Sequence, residues 1–141
     1  MPTVTKPQLT LTRVAGDKVK IEVKYVAEFS ELERNLVELG LKFQEQIAVM
    51  EVDPPSEPTG KEESVREELV GEKLVEFTEY LTVDRDRLEI RREHEVDRTQ
   101  LQEDPMVGDT DEICCRIRIA AIGLPSGVTP DVFTNEKALF G

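Results

Sequence analysis

Tryptophan is absent from this 141-residue chain, histidine occurs once, and aromatic residues make up only 5% of the sequence. Hydrolytic triads need a histidine, and zinc sites need several histidine or cysteine ligands. The sequence offers only His94, and G-x-S-x-G, H-E-x-x-H and glycine-rich phosphate-loop patterns are missing. Without tryptophan, the tyrosines and phenylalanines form no evident stacking platform for sugars or single-stranded nucleic acid. The sequence therefore predicts a protein that is not an enzyme.

Long apolar runs are also lacking. No segment approaches the roughly 18 consecutive apolar residues of a membrane span, and the N-terminal residues lack the apolar block of a secretory signal. The two cysteines, Cys114 and Cys115, are adjacent and would point to opposite faces of a strand. Reduced thiols are therefore expected rather than a disulfide between them. Together with the absence of an N-x-S/T sequon, these features predict a cytoplasmic protein without a membrane span.

Positive charge is scarce, and the deficit is local. The formal net charge is −12, from 18 basic and 30 acidic residues. Residues 51–72 contain eight acids and two bases, residues 84–112 contain eleven acids and five bases, and the rest of the chain balances. Because nucleic-acid phosphates would be repelled, the charge excludes a nucleic-acid partner.

Alternation of apolar and polar residues is what the sequence has in abundance. It is clearest in residues 18–29, and it recurs in residues 8–14, 41–52, 73–83, 87–98 and 113–121. Such a pattern is typical of strands with one buried face. Strands do not alternate with long helices, which disfavours a parallel βαβ sheet.

The expected fold is an all-β antiparallel β-sandwich of six to seven strands, mostly joined as hairpins. The sandwich domain is predicted over residues 1–123, and residues 124–141 are predicted to be an extended C-terminal tail or an edge strand, centred near residues 132–134. The layout resembles immunoglobulin-like and C2-like sandwiches in architecture only, and architecture does not imply function.

One or two short helices are expected in the connections. Ser30 and Glu33 form a capping-box pattern, and Gly40 can end the helix that follows. Leucines recur at helical spacing in this helix, at positions 32, 36 and 39, as in a helix with one apolar face. A second capping-box pattern, Ser64 with Glu67, predicts a short helix beside a proline-rich loop.

An acidic loop before the last confident strand is the main candidate for a metal site. Its candidate calcium ligands are Glu103, Asp104, Asp109 and Asp111. Calcium takes six to eight oxygen ligands, and sandwich domains supply them from loops at one end. Asp84 and Asp86 lie on another turn, but hairpin topology places that turn at the opposite end. We therefore favour a solvated loop whose charge blocks edge pairing, and we expect no cofactor. The alternative is that the loop binds calcium.

His94 and the cysteines are the remaining chemical candidates. His94 falls on the apolar phase of its strand, with Arg92 on the same side, and is either a buried general base or, as we favour, a partly exposed strand residue. Cys115 shares the inward phase and is expected in the core. Cys114 shares its phase with neighbouring arginines, which would lower its pKa if the thiol were exposed.

The function predicted from these features is a β-sandwich module for protein–protein interaction or assembly. The alternative is a calcium-dependent ligand- or membrane-binding module that uses the acidic loops. The tail, residues 124–141, motivates the first prediction, because its apolar residues lack clear partners in the sequence. It would either close its own sheet or add to a neighbour's. The tail's apolar residues are Val128, Val132, Phe133, Leu139 and Phe140.

Overall fold

The computed structural model describes residues 2–52, 70–101, 112–123 and 128–138. The long strands are β1 (Thr3–Val14), β2 (Lys18–Glu28), β3 (Lys42–Val52), β4 (Val70–Tyr80), β5 (Arg87–Asp97) and β6 (Glu112–Ile122). Two short strands follow, β7 (Val132–Phe133) and β8 (Lys137–Ala138). The helices are α1 (Glu31–Glu38), between β2 and β3, and the single-turn α2 (Arg98–Leu101), after β5. The second predicted helix, at residues 64–69, lies outside the described residues.

The strands form two antiparallel sheets packed face to face, so the predicted antiparallel β-sandwich is confirmed. The first sheet has the order β1-β2-β5. The second has the order β4-β3-β6, and the short strands β7 and β8 both pair with β6. Strands β4 and β5 therefore lie at one side of the sandwich, and β1 faces β6, β7 and β8 at the other.

The strand registers define two ends of the sandwich. At the α1 end, the last residue of β2 pairs with Arg87, and the first residue of β3 pairs with Ile122. At the opposite end, which we call the hairpin end, the turn between β1 and β2 lies beside Asp97. Val52 also lies there, paired with both Val70 and Glu112. The strands between the two ends are 11 residues long, or roughly 35 Å at the usual rise per residue.

The core lies between the sheets and follows the alternation predicted from sequence. All residues of the inward phase of β2 are buried, namely Val19, Ile21, Val23, Tyr25 and Ala27, and Phe29 after the strand is also buried. A second buried cluster lies on the outer face of the second sheet. It contains Ala48, Met50, Val52 and Cys114, with Phe133 packed against it.

The connections differ from the hairpins expected. In the described chain, the pairs β1–β2, β3–β4 and β6–β7 are neighbours in both sequence and sheet, whereas residues 81–86 cross from one sheet to the other. Leu81 and Val83 pack against the core during this crossing. The Phe29 amide donates to the Asp86 carbonyl (2.7 Å) and fixes its far end. The prediction of mainly hairpin connections was wrong, since β2 and β3, β4 and β5, and β5 and β6 are consecutive strands that lie in different sheets.

Residues 128–138 lie along the outer edge of β6. Two threonines hold them there. In each, the side-chain oxygen accepts a hydrogen bond from β6 that a backbone carbonyl of a paired strand would otherwise accept. Ile119 donates its amide to Thr129 Oγ1 (2.9 Å) and accepts from the Thr129 amide (3.0 Å). Cys115 and Thr134 exchange the same two bonds, at 2.8 and 2.9 Å. The β7 strand lies where an edge strand was expected, on the chain's own sheet.

Asn135 joins this edge to the other sheet. Its Oδ1 accepts from the Leu9 amide (2.8 Å), and its Nδ2 donates to the Leu9 carbonyl (3.2 Å). The side-chain amide thus replaces a neighbouring strand at that point of β1 and closes this side of the sandwich. Neither helix in the described part of the chain is long and apolar enough to cross a membrane.

Candidate interaction surface

The large hydrophobic side chains that are exposed in the described residues all lie at the α1 end. They are Leu32 (67% exposed), Leu39 (85%), Tyr80 (55%), Ile122 (42%) and Val128 (47%). Single exposed leucines are ordinary on protein surfaces, but their concentration in one region indicates a contact surface. We call these five residues the apolar patch.

Three patch residues share the outer face of the second sheet. Gln44 lies opposite both Tyr80 and Ala120, and Ala120 lies opposite Val128. Directly opposed residues on neighbouring strands point to the same face. Ile122 lies two residues beyond Ala120 on the same strand, so it points to that face as well. Between Tyr80 on β4 and Ile122 on β6, strand β3 contributes Gln44 and Lys42 to this face, and Lys42 Nζ lies 5.4 Å from the centre of the Tyr80 ring.

Helix α1 and its C-cap residue, Leu39, contribute the other two patch residues. Its capping box forms as predicted: the Glu33 amide donates to Ser30 Oγ (3.1 Å), and the Ser30 amide donates to Glu33 Oε1 (2.9 Å). The helix faces the sandwich with Glu33, which is buried, and with Val37, which packs against the core. Leu32 and Leu39, seven residues apart on the opposite side, are left in solvent. The leucine spacing correctly predicted the helix, but the face that carries Leu32 and Leu39 is exposed to solvent.

The surroundings of the patch are close to neutral. Residues 28–42 contain four acids and two bases, residues 81–88 contain two of each, and residues 118–131 contain one of each. These segments together carry two of the twelve net negative charges. The patch is therefore bordered by mixed charge, as is usual at the rim of a protein interface.

Most of the acidic surplus is attached at the hairpin end. Residues 53–69 contain six acids and two bases, and residues 102–111 contain four acids and no base. These two segments therefore hold eight of the twelve net negative charges. The residues that flank them are Val52, Val70, Leu101 and Glu112, which belong to the hairpin end.

The candidate calcium ligands lie outside the described residues; they are Glu103, Asp104, Asp109 and Asp111. Asp84 and Asp86 are described and lie at the α1 end, beside Phe29. Leu101 and Glu112, which flank the acidic loop, lie at the hairpin end. Within the described residues, no group of three or more His, Cys, Asp or Glu side chains is placed to hold a metal ion.

A buried polar cluster joins the two sheets near the β4–β5 side. Glu45 takes an inward position of β3 between Phe43 and Ile47 and is 2% exposed. Its Oε1 accepts a short hydrogen bond from the Tyr25 hydroxyl, and its Oε2 accepts from Arg92 Nε (2.9 Å). Arg92 thus bridges the two sheets from β5 to β3.

Arg92 also reaches the edge of the second sheet. Its Nη1 lies 2.7 Å from Glu79 Oε2, and the Glu79 side chain is more than half exposed. Burial raises the pKa of Glu45, and the Tyr25 hydrogen bond and the Arg92 charge partly offset that rise. Burial, with the Glu45 charge, also raises the pKa of Tyr25 far above its usual range. Tyr25 therefore remains the proton donor in this pair.

His94 lies next to this cluster and is partly exposed. Its ring stacks on Phe77 across the two sheets, with centroids 3.8 Å apart and planes within 1° of parallel. Desolvation lowers the pKa of His94, and the Arg92 charge adds to this effect, while Glu79 opposes it. The ring is therefore neutral near pH 7 and packs as an aromatic side chain.

One sequence feature pointed to this cluster and was missed. Glu45 occupies an inward position among apolar residues of β3, and Arg92 does the same on β5. Charged residues are rarely buried unless they are paired, so the two positions together indicate an ion pair between the strands. Both carboxylate oxygens of Glu45 are used by protein donors, and the side chain is 3% exposed. The arrangement therefore holds the two sheets together.

Both cysteines are buried. Cys115 lies in the core as expected, and burial raises the pKa of its thiol well above the usual range, with a further contribution from Cys114. Cys114 lies in the second cluster on the outer face of the sheet, opposite Met50, and is fully buried. The apolar cluster, rather than the neighbouring arginines, determines its surroundings, so the structure gives no support to a reactive Cys114.

We expect both thiols to resist Ellman's reagent in the native protein. An opening free energy of about 3 kcal/mol would slow labelling by roughly a hundredfold relative to the denatured chain. The variants Cys114→Ala and Cys115→Ala, measured separately, assign each rate. Fast labelling of Cys114 in folded Cys115→Ala would contradict its burial.

Comparisons with known proteins add no functional information. No protein-family model matches the chain, and no curated protein is significantly similar to it.

Proposed function

We propose that this protein is a non-enzymatic β-sandwich module that binds a protein partner through the apolar patch. The observation that carries the proposal is the gathering of the exposed large hydrophobic side chains at the α1 end. They come from a helix, two strands and the segment after β6, which are distant in sequence. Their position on packed elements gives a preformed surface, which lowers the ordering cost of binding.

The chemistry of the patch favours a protein over other partners. Leucine and tyrosine side chains surrounded by mixed charge match the centre and rim of protein interfaces. Membrane surfaces are usually anionic and attract basic segments, whereas the segments around the patch have a small acidic excess. The same excess disfavours a nucleic-acid backbone.

The strand order supports an immunoglobulin-like assignment for this module. The constant-type immunoglobulin order places the first, second, fifth and fourth strands in one sheet and the third, sixth and seventh in the other. Here the fourth strand pairs with the third instead, which gives β1-β2-β5 against β4-β3-β6-β7. Since folds of this kind host many functions, the apolar patch and not the fold carries the functional proposal.

Site-specific photo-crosslinking tests this function in cells that produce the protein. Benzoylphenylalanine at position 39 places the probe in the patch, and the same residue at Thr12, an exposed position on β1, is the control. We expect a protein adduct from position 39 that Leu32→Glu reduces by about tenfold, since a buried unpaired charge costs well over 1 kcal/mol. Equal adducts from both positions, or none from position 39, would refute the proposal.

A further inference from the structure

We propose that four side chains between the edges of the two sheets form an acid-sensitive clasp, which is closed while His94 is neutral and loosens when the ring takes up a proton. The four residues, which we call the edge clasp, are Phe77 and Glu79 on β4, and Arg92 and His94 on β5. The proposal concerns the β4–β5 side of the sandwich and does not depend on the apolar patch. It follows from the geometry of the clasp and from the charges around the ring.

The two sides of the sandwich are joined by different kinds of contact. At the side formed by β1 and the strands that pair with β6, the Asn135 side chain hydrogen-bonds to the β1 backbone, and an amide does not titrate. At the other side, β4 and β5 are the edge strands of the described sheets. The Glu79–Arg92 ion pair and the Phe77–His94 stack join these two edges. The contact between the sheets on this side therefore involves titratable groups.

The stack itself favours a neutral ring. The centroids of His94 and Phe77 are 3.8 Å apart, which leaves no room for water between the rings. A neutral imidazole loses little by this contact, whereas an imidazolium would give up part of its hydration. Desolvation accordingly lowers the pKa of His94.

The charges closest to the ring divide between one cation and one acid. Arg92 lies two residues before His94 on the same inward face of β5, so its charge opposes a second cation there. Glu79 on β4 favours the imidazolium, but its side chain is more than half exposed and is already paired with Arg92 at 2.7 Å. A protonated His94 would compete with Arg92 for Glu79 while it loses its contact with Phe77. Both contacts of the edge clasp therefore weaken together.

The other elements around the clasp do not reverse this balance. On β2, Ile21 lies opposite His94 and brings no charge. On β3, the Glu45 carboxylate accepts hydrogen bonds from Tyr25 and Arg92. Helix α2 packs against both edge strands, and its charged residue, Arg98, is a further cation. Among the described residues, Glu79 is thus the acid that acts on the ring.

The direction of the pH effect follows by linkage. The folded-state pKa of His94 lies below the unfolded value of roughly 6.5, so its contribution to stability is full above that pH. The contribution is lost as the pH falls toward the folded-state pKa. The edge clasp is therefore closed in neutral solution and loosens in mildly acidic solution.

A proton NMR titration of the full chain measures the protonation of the ring directly, because His94 is the only histidine in the sequence. We expect a pKa below roughly 6.5. Glu79→Gln should lower it further, because the variant removes the charge that favours the imidazolium. Glu76→Gln removes a charge from the outer face of the same strand and should leave the His94 pKa unchanged. A wild-type pKa at or above 6.5 would overturn the proposal.

The variant His94→Phe tests whether protonation loosens the clasp, since it keeps an aromatic ring against Phe77 but cannot take up a proton. Urea denaturation and hydrogen exchange are measured at about pH 7.5 and about pH 5.5, with exchange rates corrected for their intrinsic pH dependence. We expect the wild type to lose stability relative to this variant as the pH falls, and its β4 amides alone to exchange several-fold faster. Glu45 is present in both proteins, so its titration cancels in the comparison.

The β1 amides, on the other side of the sandwich, are the internal control and should exchange equally in the two proteins. His94→Gln, which is also uncharged at every pH, is a second variant that should lack the pH dependence of the wild type. The same pH dependence in the wild type and in both variants would overturn the clasp. Equal acceleration of the β1 and β4 amides in the wild type would also overturn it, because the loosening would then not be confined to the β4–β5 side.

Discussion

Replacing Arg92 with methionine should lower the free energy of unfolding by about 3 kcal/mol at pH 7. The change leaves the Glu45 carboxylate inside the sandwich without its cation, and breaking a buried ion pair from one side costs about 3–5 kcal/mol. The lower end of that range applies because about a quarter of the Arg92 side chain reaches solvent. Urea denaturation followed by circular dichroism measures the loss.

Arg91→Met is the matched control for this experiment. Arg91 is the preceding residue on the same strand, it is exposed, and it pairs with Glu22 at 2.8 Å on the solvent face. Exposed pairs contribute about 0–1 kcal/mol, so this variant should lose less than about 1 kcal/mol. The double variant Glu45→Gln with Arg92→Met should recover most of the stability, because it removes both charges. Equal losses for the two arginine variants would contradict a buried role for Arg92.

The stability loss in Arg92→Met should also depend on pH. Burial raises the folded-state pKa of Glu45 above its unfolded value, so its contribution to stability is full below about pH 4.3 and declines as pH rises through the folded pKa. Removing Arg92 raises that pKa further. The deficit relative to the wild type should therefore be small near pH 4 and should grow toward pH 7. A deficit that is constant with pH would assign the effect to lost packing alone.

The double variant Thr129→Val with Thr134→Val should lower the free energy of unfolding by about 2–6 kcal/mol. Both threonines are buried, and their hydroxyls accept the amides of Ile119 and Cys115. Valine has nearly the same shape but cannot accept, so each buried amide loses its partner at a cost of about 1–3 kcal/mol. Thermal unfolding measures the total loss, and hydrogen exchange of the two amides locates it.

Thr12→Val is the control for the threonine pair, because Thr12 is exposed on β1. Its replacement should change stability by less than about 0.5 kcal/mol, as surface substitutions usually do. We expect exchange at the amides of residues 115 and 119 to accelerate selectively in the double variant. Uniform acceleration across β6, with no selectivity for these two amides, would show that the threonines do not act as carbonyl substitutes.

The elements of this fold follow closely from the sequence, because strand alternation is a local property. Each long strand overlaps a segment in which period-two alternation predicted one, although β4 ends at Tyr80 and the in-phase Leu81 and Val83 belong to the crossing. The inward phase of β2 from Val19 to Ala27 is fully buried. The capping box at Ser30 and Glu33 correctly located the start of α1, since its two hydrogen bonds involve residues three apart. The sandwich class follows from one buried face per strand.

The candidate surface was much less accessible from sequence. The leucine spacing of α1 gives a helix with an apolar stripe, but only the docking of Glu33 and Val37 against the sandwich leaves Leu32 and Leu39 outside. Similarly, the phase of Cys114 suggested exposure beside arginines. The second apolar cluster, which needs β3 and β7 beside β6, buries it.

The sequence alone therefore determined the strand positions, the inward residues, the first helix and the uneven charge, because each depends on neighbours along the chain. The tertiary structure decided which sheet each strand joins and which end each connection occupies. It paired Glu45 with Arg92 across 47 positions and brought Leu39, Tyr80, Ile122 and Val128 to one end while the acidic segments attach at the other. These placements depend on long-range strand pairing and on the packing of one sheet against the other, and no local pattern encodes them.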